Sequence, residues 1–126
     1  PRAALTGRGA SAVGPYSHAA GQHGFVYLSG QTPVEPGTTT LVGGGIEAQT
    51  RQCFANLGAV LAAGGLGFDD VVKCNVFLTD MADFAAMNAV YAETFSQPYP
   101  ARTTIGVAAL PLGASIEIEL IARRPT

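Results

Sequence analysis

Pro100-Ala-Arg-Thr-Thr-Ile-Gly-Val107, followed by Ala114-Ser-Ile-Glu-Ile-Glu-Leu-Ile121, sets the reading of the whole chain. In the second run Ile116, Ile118 and Leu120 alternate with Glu117, Glu119 and Ile121, the period of a strand. The first run is β-branched and begins just after Pro98 and Pro100. Leu110-Pro-Leu-Gly113 carries the Pro and Gly of a turn between them. If the two runs pair as antiparallel neighbours, Arg102, Thr104 and Glu117 share one face. A guanidinium placed there can fork onto a carboxylate or phosphate, and a carboxylate beside it can accept a proton from water. The same two residues can equally pair with each other in a solvated sheet, and from these residues alone both readings stand.

Upstream, residues 1 to 15 are broken by Gly7, Gly9, Gly14 and Pro15 and read as an edge strand plus a loop. Tyr16 to Ala20 and Gly24 to Ser29 read as two strands of a hairpin turning through Gly21-Gln-His-Gly24. Residues 30 to 45 form a long loop with Pro33, Pro36 and Gly30, Gly37 and Gly43 to Gly45; the part from Pro36 onward reads as a flexible connector. The period then changes. Ile46, Thr50, Cys53, Leu57, Val60 and Leu61 follow helical spacing until Gly64-Gly65 stops the helix. Val71 to Thr79 alternates again, with Val72, Cys74, Val76 and Leu78 on one face and Val71, Lys73, Asn75 and Phe77 on the other. Asp80 is a natural N-cap for a second helix, which Pro98 and Pro100 end. Its stripe of Phe84, Met87, Asn88, Tyr91 and Phe95 contains one polar residue, so Asn88 either bonds backbone or faces a site.

The expected order ββ-α-β-α-ββ, with the N-terminal edge strand in front, is an α+β sandwich with both helices on one face of a mostly antiparallel sheet. Residues 1–126 suit a single domain. The other sheet face mixes Phe25, Tyr27, Phe77 and Ile121 with Lys73, Glu117 and Glu119, which implies that it meets another subunit.

Composition narrows the function. Charged residues are 13% of the chain, about half the usual share. Net charge is −2 and no basic run exceeds Arg123-Arg124, so nucleic acid is not an expected partner. No run approaches the roughly 20 apolar residues of a membrane span, and the N-terminus lacks a secretory h-region. Cys53 and Cys74 fall in apolar periodic segments without a CxxC, as reduced core thiols of a cytoplasmic protein do. His18 and His23 fall short of a metal ligand set. Ser29 sits in Leu-Ser-Gly-Gln-Thr-Pro33 and not in a nucleophile elbow. Gly43 to Gly45 lacks the Lys-Ser/Thr of a phosphate-binding loop.

Several stretches together resemble one family. They are Gly14-Pro-Tyr-Ser-His-Ala19, Leu28-Ser-Gly-Gln-Thr-Pro33, Asp83-Phe-Ala-Ala-Met-Asn-Ala-Val-Tyr91, Pro100-Ala-Arg-Thr-Thr104 and Ile116-Glu-Ile-Glu119. In order, and over nearly the whole chain, they are similar to the RidA/YjgF family of reactive-intermediate deaminases. The resemblance implies a chorismate-mutase-like fold, a homotrimer whose three sheets line a central barrel, and a cleft at each subunit boundary. It implies hydrolysis of 2-imino acids and enamines, such as 2-iminobutanoate and 2-iminopropanoate, to 2-keto acids and ammonia, with no cofactor and no metal.

By the same resemblance Arg102 would hold the substrate carboxylate and Glu117 would position or activate water. Tyr16, Ser29, Gly30 and Asn88 would line the cleft, and the Thr104 N–H would help hold the carboxylate. Thr103-Thr104 stands where many relatives carry Ser-Cys, and His18 where Gln is common. The reach from Asn88 to Arg102 is shorter than in typical bacterial members, which puts the role of Ser96-Gln-Pro-Tyr99 in the cleft wall in question. A non-catalytic metabolite-binding or chaperone-like trimer and an endoribonuclease are the rival readings.

Overall fold

The computed structural model describes residues 2–7, 11, 12 and 14–125; Gly9, one of the breaks noted in the N-terminal stretch, lies outside them. The elements are β1 (Ala3–Leu5), β2 (Ala19–Gln22), β3 (Phe25–Gln31), α1 (Ile46–Ala63), β4 (Val71–Leu78), α2 (Phe84–Thr94), β5 (Ala101–Gly106) and β6 (Ile116–Arg123). They form one six-stranded sheet in the order β1-β2-β3-β6-β4-β5.

The central strand is β6, antiparallel to β3 on one side and to β4 on the other. Its alternation holds: Ile116, Ile118 and Leu120 are buried, while Glu117, Glu119 and Ile121 are half-buried on the opposite face. The expected pairing of β5 with β6 does not. β5 is an edge strand parallel to β4, which lies between it and β6. The reason is the helix between β4 and β5. A helical crossover returns the chain to run the same way as the strand it left, so β4-α2-β5 is a parallel unit. Leu110–Gly113 is therefore not a hairpin turn. It belongs to a connection that passes the end of β4, where Val107 N–H donates to the Leu78 carbonyl (2.8 Å) and Thr79 N–H to the Ser115 carbonyl (3.2 Å).

The first hairpin is tighter than its composition suggests. β2 begins at Ala19, and the turn is His23-Gly24 alone, with φ of 55° and 83°. Two successive positive φ values match the right-handed twist of the flanking strands. Tyr16 and Ser17 lie outside the strand. In β4 a register shift between Val71 and Lys73 reverses the expected facing of the first two residues, so that Val71 is buried and Val72 exposed.

Both helices pack on one face. α1 is stopped as expected: Leu66 N–H reaches the Leu61 carbonyl (2.8 Å), Gly65 N–H reaches Ala62 (3.0 Å), and Gly65 has φ of 73°. Before α2, the Asp80 side chain accepts from Ala82 N–H (2.9 Å) at the head of a short 3-10 turn that leads into the helix. Phe54, Phe68, Tyr91 and Phe95 form an edge-to-face aromatic cluster that joins α1, α2 and the approach to β4. The loop from residue 32 to 45 is anchored, contrary to a flexible connector. Val34 bridges to Leu41 and is buried, Glu35 N–H bonds the Thr40 carbonyl, and Asn56 of α1 donates to the carbonyls of Thr32 (3.3 Å) and Val34 (2.9 Å).

The sheet face away from the helices keeps Tyr27 51% and Ile105 45% exposed. Lys73 donates to Thr103 and Asn75 to Glu119 on that same face. Both cysteines are free and buried, and burial pushes the Cys74 thiol up to about 12. Among the described residues, no helix is long and apolar enough to cross a membrane.

Candidate functional site

Sheet register divides the singled-out residues into two groups. Arg102 lies beside Cys74 and, across β4, Leu120; Glu117 lies beside Phe77. Laterally paired residues share a face and odd offsets along a strand change it. Arg102 and Thr104 therefore face the helices, while Glu117 faces away. Two strand spacings, roughly 10 Å, also separate β5 from β6. Within one chain the two side chains do not share a surface, which corrects the expectation from the sequence.

On the helix side, the Arg102 guanidinium sits over two rings of α2, 4.6 Å from the Tyr91 centroid and 5.5 Å from Phe84. Its Nη1 donates to Asn88 Oδ1 at 2.7 Å. Asn88, the polar member of an apolar stripe, thus faces the guanidinium, because residues 84, 88 and 91 lie on one side of a helix. The described ion pairs are those of Arg51 with Glu47 and Glu93, so Arg102 is held by a neutral amide and π faces with no carboxylate of its own. Thr104 Oγ1, two residues along β5, is buried without a hydrogen-bond partner. A cavity of about 490 Å3 opens beside Arg102, lined also by Asn88, Tyr91, Ala92, Tyr99 and Pro100. Burial raises the Tyr91 hydroxyl to about 12, so it stays neutral; like Thr104 Oγ1 it is buried without a hydrogen-bond partner among the described residues.

On the other face, Glu117 lines a cleft of about 250 Å3 with Tyr16, Ser29, Gly30, Thr32 and Pro111. A bulge makes this possible. Between the pairs Leu28↔Leu120 and Gln31↔Ile118, Ser29 and Gly30 together oppose Glu119, and the ladder shifts register. The Glu117 carboxylate then occupies the space a Cβ at residue 30 would fill, so any larger residue there would displace that carboxylate. The Ser29 hydroxyl donates to the Ser17 carbonyl (2.6 Å) and its N–H to the His18 carbonyl (2.9 Å). Its proton is committed to backbone, and the two bonds hold the Tyr16–His18 segment over the cleft. Burial first, and the Glu119 carboxylate second, hold the Glu117 carboxyl above its ordinary range. A carboxyl raised in this way can both accept a proton from water and return it.

A model of the family described as Endoribonuclease L-PSP matches residues 6–124. The chain belongs to this family, the RidA/YjgF family. Protein DfrA of Myxococcus xanthus is 49% identical over 115 residues, 88% of this chain and 86% of that protein. A Capra hircus protein named 2-iminobutanoate/2-iminopropanoate deaminase is 43% identical over 117 residues, covering 93% of this chain and 85% of its own. The crystal structure of RidA from an Antarctic Psychrobacter superimposes with a TM-score of 0.91 at 44% identity, over 97% of this chain and 99% of that one. This RidA/YjgF chain thus has the α+β fold that the resemblance implied, with the pairing of β5 corrected as above.

Sequence reasoning did not single out Phe84, Tyr91, Tyr99 and Pro100 around Arg102, or Thr32 and Pro111 around Glu117. The first pair was detectable: Phe84 and Tyr91 stand four before and three after Asn88, on the same helix face. Tyr99 lies in Ser96-Gln-Pro-Tyr99, whose place in the cleft wall was in question; it and Pro100 line the Arg102 cavity, while Ser96 to Pro98 line a separate one. Among the described residues no three His, Cys, Asp or Glu side chains converge as metal ligands.

Proposed function

We propose that this chain hydrolyses reactive 2-imino acids to 2-keto acids and ammonia, at a site built where two copies meet. The observation that carries the proposal is a cation without an anion partner among the described residues on one face and a carboxyl held above its usual range on the other. Each is half of what the reaction needs, and a neighbouring copy that docks on the exposed face brings the halves together. The exposed Tyr27 and Ile105, with Phe25, Phe77 and Ile121 around them, give that face a reason to be covered. A closed ring of three copies is the assembly we propose, in line with the family resemblance.

Arg102 would fork onto the substrate carboxylate and fix the imine carbon. Asn88 and the two rings would keep the guanidinium from swinging away. Glu117 of the adjacent copy would take a proton from water as its oxygen bonds to the imine carbon. The C=N electron pair would go to the protonated imine nitrogen, giving the carbinolamine. Glu117 would pass its proton to that nitrogen, and the C–N bond would break to release ammonia as the hydroxyl proton returns to Glu117 and the keto oxygen forms. Such an imine is already labile in water, so positioning plus one acid–base group suffices, and no cofactor enters the proposal. An overall charge of −2 with only seven Lys and Arg favours a small acid over RNA as ligand.

The test is an assay in which an amino acid oxidase releases the imine and added protein speeds its decay. Arg102→Ala should cost about 1.5–3 kcal/mol of transition-state binding, as for hydrogen bonds to charged groups, and Arg102→Lys should restore little because an ammonium lacks the fork. Glu117→Gln should lower turnover roughly 10²-fold. Unchanged decay with the unmodified protein present would reject the reading.

A further inference from the structure

We propose that the cavity beside Arg102 is a side-chain subsite that favours imino acids with large apolar side chains, with Ala92 and Tyr99 setting its size. The proposal rests on the deaminase reading above and names the substrate class for the same site.

The cavity measures about 490 Å3 and is open to one side, a volume within the range of small-molecule pockets, about 300–1,000 Å3. A three- or four-carbon imino acid leaves most of it to water. Among its lining residues Arg102 is the one charged group; around it stand two tyrosine rings, a proline ring, the Ala92 methyl and Asn88. Asn88 Oδ1 is already engaged by Arg102. A ligand that satisfies this lining carries an anion at one end and an apolar body at the other. A 2-imino acid with a leucine- to phenylalanine-sized side chain has that form, and aromatic walls suit it by ring and methylene contact.

Two residues decide how much room there is. Ala92 follows Asn88 by four residues on α2, so both open to the same side. A methyl there leaves free a volume that a longer side chain would fill. Tyr99 is 50% exposed, an unusual setting for so large a ring unless something covers it. Pro98 and Pro100 restrict the backbone on either side of it, and the short link from α2 to β5 places it over the cavity rather than farther out.

The experiment compares imines released by an amino acid oxidase from phenylalanine, leucine and 2-aminobutyrate. It uses the unmodified protein, Ala92→Leu and Tyr99→Ala. Leucine is as strong a helix former as the position requires, so Ala92→Leu changes volume with little cost to α2. For the unmodified protein kcat/KM for the larger imines should exceed that for the smallest by about tenfold or more, the scale of a few methylenes in an apolar pocket. Ala92→Leu should erase that ratio, and Tyr99→Ala should reduce it. A ratio near one in the unmodified protein, or a ratio that neither variant changes, overturns the subsite. Calorimetric binding of 4-methyl-2-oxopentanoate beside 2-oxobutanoate reads the same ratio without turnover. If no imine decays faster, the deaminase reading fails; the keto acid ratio then supports or overturns the subsite independently.

Discussion

The Arg102 guanidinium donates to Asn88 Oδ1 at 2.7 Å, a neutral acceptor holding a cation that has no acidic partner among the described residues. The choice of an amide over a carboxylate has a consequence. Asn88→Ala frees the guanidinium to leave the Tyr91 and Phe84 rings, and 2-oxobutanoate affinity should fall by up to about 1.5–3 kcal/mol, the range for one charge-assisted bond. Asn88→Asp should be worse although it keeps the bond, because an internal carboxylate competes with the ligand for the same fork. Titration calorimetry on both variants checks this, and equal affinity in the two would show that the neutrality of residue 88 is irrelevant.

Gly30 and Glu117 are locked together by the bulge in β3, since a Cβ at residue 30 would overlap the carboxylate. Gly30→Ala should push Glu117 out of position and lower imine turnover roughly 10²-fold, close to the loss from Glu117→Gln. The circular dichroism spectrum should be retained. A Gly30→Ala protein with unmodified turnover would mean that Glu117 can move aside without consequence.

The extent to which these relationships could be read from sequence differs by kind. The β6 alternation and the α1 stripe are local patterns, and both appear in the structure as expected. Asn88 stood out because it broke an apolar stripe, a local anomaly with a specific cause. The separation of Arg102 from Glu117 was not legible. It depends on β4 standing between β5 and β6, which follows from the crossover through α2 and not from any residue near either site. Nor was the closeness of Gly30 to Glu117, because a one-residue bulge leaves no periodic signature when both residues in it are small. Val71 and Val72 illustrate the same limit: both are apolar, and only the register shift decides which is buried.

Asn56 ties the loop that carries Thr32 and Val34 to α1 through both protons of its side-chain amide. Asn56→Leu fills similar space but takes the side-chain donor from the Val34 carbonyl and leaves the Thr32 carbonyl with the Val34 N–H alone. It should cost about 1–3 kcal/mol, the range for one buried polar group left unsatisfied. The unfolding midpoint in urea measures the loss. A midpoint shift within error would mean that the loop finds other donors.

Stability should also depend on pH through Glu117. Its carboxyl is held above the ordinary 4.5, first by burial and then by Glu119. A carboxyl raised by folding binds its proton more tightly in the native state. Its favourable contribution is therefore present at low pH and is lost as pH climbs from 4.5 through the raised folded value. Glu117→Gln does not titrate, so its stability relative to the unmodified protein should improve as pH rises from 4.5 through the raised folded value. Urea midpoints of both proteins across that range give the difference directly. A pH-independent difference would place the Glu117 carboxyl back in its ordinary range.

The central claim is that Arg102 of one copy works with Glu117 of another, and mixing two impaired variants tests it most directly. Arg102→Ala and Glu117→Gln chains are unfolded together in equal amounts, refolded, and assayed for imine decay. In a ring whose sites each draw one residue from each neighbour, random mixing rebuilds both residues in about a quarter of the sites. The account predicts activity near that fraction of the unmodified protein, absent when the variants are refolded separately and then combined without exchange. Mixed assemblies no more active than the separate variants would contradict it.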